Sequence, residues 1–116
     1  MKLTLTMRTK DGILAVDCSG RIVFGEESSL LRDTVKKALS NNTHIVLNLG
    51  EVSYIDSGSL GTLVELYTSA HKAGGAIKLT RLTKHVSDLL QITKLLTVFD
   101  VYNSEAEAVD SFRKAA

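Results

Sequence analysis

The chain has 116 residues, one domain's worth and enough to enclose its own core. Its formal charge is +1, with no Trp and only three Tyr and three Phe. Neither the basic surface nor the stacking platform of a nucleic-acid binder is therefore expected. Cys18 is the single cysteine, which excludes an internal disulfide, and its place in an apolar run predicts a buried, inert thiol. No apolar run approaches the ~20 residues that cross a bilayer. The first residues alternate instead of forming a signal peptide's unbroken apolar stretch, so a cytoplasmic location without membrane insertion is expected.

Leu3, Leu5 and Met7 alternate with Thr4, Thr6 and Arg8, the period of a half-buried strand. Asp11-Gly12 is a hairpin signal, and a second strand follows over Ile13 to Ser19, closed by Gly20. After the polar run Gly25 to Ser29, the residues Leu31, Val35, Ala38 and Leu39 share one face of a helix that Asn41-Asn42 ends. Acidic residues at its start and Lys36-Lys37 near its end suit the helix dipole. His44 opens the run Ile45 to Leu49, nearly continuous in apolar residues, which predicts a central strand covered on both faces. Gly50-Glu51 reads as a polar break before Val52 and Tyr54-Ile55.

A second helix begins at Asp56-Ser57-Gly58-Ser59, with Leu60, Leu63, Val64, Tyr67 and His71 on one stripe and Gly74-Gly75 as its stop. Ala76 to Leu79 is a short strand, and Thr83 caps a helix that buries Val86, Leu89 and Leu90. A last strand is expected at Val98 to Val101. Ser104 and Glu107 then have capping-box spacing for a final helix with Ala108 and Phe112 facing inward. Two strands followed by alternating helix and strand predict a single α/β domain over residues 1–116. Its sheet is mixed but mostly parallel, with about five strands and about four helices.

One segment departs from fold-building habit. Tyr54 to Gly61 places two serine hydroxyls, one carboxylate and two glycines between an apolar strand and an amphipathic helix. Small residues leave the N–H groups of the helix start uncovered, and such an end attracts an anion. A phosphate on Ser57 would put a charge of about −1.5 to −2 at the positive end of the dipole and alter a surface without unfolding the domain. By pattern alone the same residues read first as a cap, because Asp56, Ser57 and Ser59 are all good capping residues and glycine suits a tight strand-to-helix turn.

Other constellations carry less. Ser57 to Gly61 approaches the hydrolase elbow Gly-x-Ser-x-Gly but lacks its first glycine. His44, His71 and His85 have no metal spacing, so no metal or cofactor is expected. No acid, base and nucleophile can be assembled, and the chain is expected not to be an enzyme. Glu65, Ser69 and Lys72 mark a solvated helix face. The exposed part of the second helix nearest Ser57, including Thr62, is the expected partner-binding surface.

At these residues the chain resembles the STAS domain family, that of anti-sigma factor antagonists and of the cytoplasmic domains of sulfate transporters. The resemblance rests on Ser19-Gly20-Arg21-Ile22, on His44 to Leu49 with Val52 to Ser57, and on Leu60-Gly61, Gly74-Gly75 and Phe99 to Ala108 in order. It implies a STAS fold and, in the antagonist branch, phosphorylation of the serine directly after the aspartate, which is Ser57. The implied partners are an anti-sigma factor serine kinase, which binds the unphosphorylated form, and a phosphoserine phosphatase. Asp56, Gly58, Ser59 and Gly61 would form the switch loop. The family's usual Asp-Ser-Ser/Thr/Ala-Gly-Leu-Gly has its third and fourth residues exchanged here, which makes Ser59 an alternate acceptor. Val23 stands where the family often has an aspartate. The competing expectation is an adaptor, such as the STAS subunit of a lipid-transport ATPase, in which Ser57 only caps.

Overall fold

Asp11 and Gly12 both take positive φ, 54° and 78°, as a two-residue turn between right-twisted strands requires. This turn joins β1 (Thr4–Lys10) to β2 (Ile13–Ile22) in the computed structural model, which describes residues 2–114. The chain continues through α1 (Glu26–Leu39), β3 (His44–Ile55), α2 (Ser57–Lys72), β4 (Ala76–Thr80) and α3 (Lys84–Ile92). A 3-10 turn at Leu95–Thr97 leads to β5 (Asp100–Tyr102) and α4 (Glu105–Lys114). The sheet order is β1-β2-β3-β4-β5. The β1–β2 pair is antiparallel and the others are parallel. A mixed, mostly parallel sheet with four helices is the expected α/β fold.

Alternation along β3 divides the core between the faces of the sheet. Ile45, Leu47 and Leu49 pack with Val16, Cys18, Leu31, Leu63 and Leu66 under α1 and α2. Val46 on the opposite face joins Ile13 with Ala108 and Val109 of α4. Burial, and secondarily the neighbouring Asp17 charge, push the Cys18 thiol up to about 12, so it stays a protonated core residue. Arg8 holds Asp17 at 2.9 Å and also bonds Glu105, tying the hairpin to the start of α4.

Three boundaries and one buried face differ from the sequence reading. Gly20 does not close β2, which runs on to Ile22. Its φ of 117° sits at a register shift where β3 bulges against β2. Gly50-Glu51 is likewise no break, because β3 absorbs these polar residues as a bulge opposite Asp17 and Ser19. The last strand begins at Asp100, since Lys94 turns left-handed at φ 63° and commits Leu95–Thr97 to a 3-10 turn. The buried stripe of α2 passes through Leu66 and Ala70, leaving His71 exposed.

The caps agree with the reading. Thr83 Oγ1 accepts from Val86 N–H, Ser104 Oγ accepts from Glu107 N–H at 3.1 Å, and Gly74 ends α2 with φ 86°. What positions the site is the length of β3. Its pairing with β4 stops at Asn48, and the remaining residues run on beside β2 and α3, where Thr83 Oγ1 donates to Val52 O at 3.1 Å.

Gly20 gives a test of this frame. A Cβ there would overlap the Lys2 carbonyl oxygen at a φ that L side chains avoid. Gly20→Ala is expected to lower the unfolding free energy by about 1–3 kcal/mol, read from urea denaturation with an unchanged slope. A neutral substitution would show that this crossing does not constrain the hairpin.

Candidate functional site

Asp56 leaves β3 in extended conformation, its N–H donating to Ile22 O at 3.3 Å. It is the N-cap of α2. Its Oδ1 accepts from Ser59 N–H at 2.9 Å, and its Oδ2 accepts from Phe24 N–H at 3.0 Å. One carboxylate thus bonds the loop after β2 and the first turn of α2 together. Burial pushes its pKa up, but the hydrogen bonds from Phe24 and Ser59 more than offset this and hold it below the ordinary 3.8.

Ser57 is the first residue of α2 and is exposed. At this position the first N–H groups of the helix have no intrahelical acceptor, and no carboxylate follows in the first turn. Gly58 is exposed beneath an aromatic ring: a Cβ there would stand 2.9 Å from Phe24 Cβ and 3.0 Å from its Cγ. Phe24 itself is 69% exposed. Gly61 faces open space.

Two expected site residues point elsewhere. Ser59 is 0% exposed, and its hydroxyl lies beside the Asp56 carboxylate. It faces the core because the third position of the helix lies on the side of Leu60 and Leu63, so the alternate acceptor is not presented to a kinase. Thr62 is 8% exposed and belongs to the buried stripe, not to the outer surface of α2.

The surroundings hold residues that the pattern did not single out. Tyr54 lies between the Arg21 guanidinium, 4.9 Å from its ring centre, and the stacked ring of His85, also at 4.9 Å. His85 Nε2 donates to Ile55 O at 3.1 Å, fixing that ring against the end of β3. Val23 offers only its carbonyl, which accepts from Ser28 N–H. This loop is joined to Asp56 instead by the Phe24 N–H, next to the bond from Asp56 N–H to Ile22 O.

The model of the STAS domain matches residues 4–108. This chain belongs to the STAS domain family. It is 27% identical over 111 residues to the anti-sigma F factor antagonist of Paenibacillus polymyxa, covering 94% of each chain. Its fold superposes on an anti-sigma factor antagonist from Mycobacterium paratuberculosis with a TM-score of 0.84, at 20% identity and 97% and 95% coverage. The phosphorylated form of the Bacillus cell fate determinant SpoIIAA is also similar, with a TM-score of 0.71, 16% identity and 93% and 98% coverage. Against the STAS pattern, the exchanged Gly58-Ser59 now has a physical account. Phe24 fills the space that a side chain at 58 would need, and the serine at 59 is folded inward.

Two outcomes follow. Because the folded Asp56 carboxyl titrates below the unfolded one, its stabilisation is complete above the ordinary carboxylate range and is lost as pH falls through the lower folded value. Asp56→Asn keeps an acceptor for Ser59 N–H but sets an NH2 against Phe24 N–H, and should cost about 1 kcal/mol at neutral pH. That deficit should shrink as urea melts are repeated from about pH 7 down to about pH 3; a pH-independent difference would remove the carboxylate from the account. Ser59→Ala removes a buried hydroxyl that helps hold the Asp56 carboxylate ionised, so the loss of the Asp56 contribution should move to higher pH in urea melts of that variant.

Proposed function

We propose that this STAS domain is an anti-sigma factor antagonist of a partner-switching pathway, acting in the cytoplasm. Unphosphorylated, it binds an anti-sigma factor serine kinase. Phosphorylation of Ser57 releases it, and a phosphoserine phosphatase restores it. The observation that carries this reading is the exposed Ser57 hydroxyl at the first position of α2, directly after a capping aspartate. The antagonist name of the Paenibacillus relative and the phosphorylated form of the Bacillus determinant support it.

The chemistry is that of an interface whose charge changes. A phosphate adds about −1.5 to −2 charge beside the ionised Asp56. The helix N-terminus tolerates that charge, while a partner packed flat on Ser57, Gly61 and Phe24 must accommodate both its bulk and its charge. Thr62, buried under the helix, contributes to this surface only by shaping it.

The test is incubation with an anti-sigma serine kinase and Mg-ATP, followed by peptide mass spectrometry. One phosphate on Ser57 is expected. Ser57→Ala should bind the kinase with or without ATP, and Ser57→Asp should bind at least ~100-fold more weakly, about 2.7 kcal/mol. A phosphate elsewhere, or an Asp variant that binds like wild type, overturns the reading.

A further inference from the structure

The chain has three phenylalanines, and one of them is left outside the packing. Phe99 is buried and meets Tyr67 edge-on, while Phe112 packs against His44 and under the Lys78 ammonium. Phe24 is 69% exposed, the most exposed of the phenylalanine and tyrosine rings among the described residues. Single exposed apolar residues are ordinary on a protein surface, so exposure alone assigns this ring nothing. Its setting does.

Hydrogen bonds hold the backbone on both sides of the ring. Asp56 N–H donates to Ile22 O, and Ser28 N–H donates to Val23 O. Phe24 N–H donates to Asp56 Oδ2 at 3.0 Å, and Gly25 N–H donates to Ser28 Oγ at 2.9 Å. The ring therefore projects from a fixed loop, and little freedom is lost when another surface closes over it. It also lies over the start of α2, where a Cβ at Gly58 would stand 2.9 Å from Phe24 Cβ. Ser57 precedes Gly58 and is itself exposed, and Gly61 faces open space. A protein surface that reaches the Ser57 hydroxyl consequently covers the Phe24 ring as well.

Resting on the antagonist reading, we propose that Phe24 anchors the complex with the anti-sigma kinase and that the phosphate on Ser57 unseats it. The ring enters an apolar pocket of the kinase, as buried aromatic side chains do at the centre of protein interfaces. Closure of such a pocket excludes water. The Ser57 hydroxyl is small and neutral and permits that closure. A phosphate in its place carries a charge of about −1.5 to −2, and an apolar pocket drawn over it strips its hydration without supplying a partner. Phosphorylation thus cancels the contribution of Phe24 in addition to any repulsion of its own. Positions 24 and 57 are coupled.

A double-mutant cycle on the full chain tests this, with binding to the kinase that phosphorylates it measured by titration calorimetry without ATP. Phe24→Ala should weaken binding at least ~30-fold in the wild-type background, but less than ~3-fold in the Ser57→Asp background. Phe24→Lys keeps an alkyl stem over Gly58 while charging its tip, and should lose as much as Phe24→Ala. Ile92→Ala removes a side chain that is 78% exposed, at the opposite end of α3 from His85, and should bind like wild type. The urea midpoints should show every variant folded, because the Phe24 bond to Asp56 uses the backbone and not the ring.

A Phe24→Ala chain that is phosphorylated on Ser57 and binds within ~3-fold of wild type overturns the anchor and leaves the antagonist reading standing. Equal losses in the two backgrounds overturn the coupling. A wild type that neither binds the kinase nor takes a phosphate on Ser57 overturns the antagonist reading, and the anchor with it.

Discussion

The Asp56 carboxylate is the contact on which the site depends. It joins two segments separated by 32 positions in sequence, since one oxygen accepts from Phe24 N–H and the other from Ser59 N–H. Desolvation works against a charged group in this position, and the two N–H donors more than compensate, as its lowered pKa indicates. Without that ion, α2 would lose its cap and the loop after β2 its anchor. The exposed Phe24 ring stands where it does because its backbone is held from below.

That anchoring gives the exchanged Gly58-Ser59 order a packing account. Where the STAS pattern carries a small side chain and then a glycine, it carries Gly58 and then Ser59. Gly58 is favoured by contact and not by backbone freedom, because a Cβ there would crowd the Phe24 side chain and force it to shift. Ser59 occupies the inward position that glycine would leave empty, and it lies beside the Asp56 carboxylate that caps the helix. The two departures are one substitution of packing: an aromatic from the neighbouring loop covers the first turn of the helix in place of a residue of the helix itself.

Elements with strong local signals were legible in the sequence. Asp11-Gly12, the capping residues Asp56, Thr83 and Ser104, and the stop at Gly74 each act through a few neighbouring atoms, so a short window contains their cause. The polar pair Gly50-Glu51 misled because a bulge and a break use the same residues, and only the partner strand decides between them. Thr62 and Ser59 misled for a related reason. Hydroxyl residues at a helix start suggest a surface, yet α2 turns that side toward the core, a fact set by Leu60 and Leu63 beside them. Phe24 and His85 reach the site only through long-range contacts, and no window around Ser57 includes them.

The division of labour within α2 also shows why a charge can arrive at its tip without consequence for the fold. Leu60, Leu63 and Leu66 are buried against the sheet and α1, each worth about 1.5–3 kcal/mol of burial. A charge at the end of a helix changes its energy by about 0.3–1 kcal/mol, and favourably at the N-terminus. The anchoring term exceeds the perturbation several-fold, so the helix stays in place and the effect of an anion is confined to what can approach Ser57. At the proposed antagonist surface the added charge would therefore act on whatever partner lies against Phe24 and Gly61, and its effect would fall on binding and not on the fold.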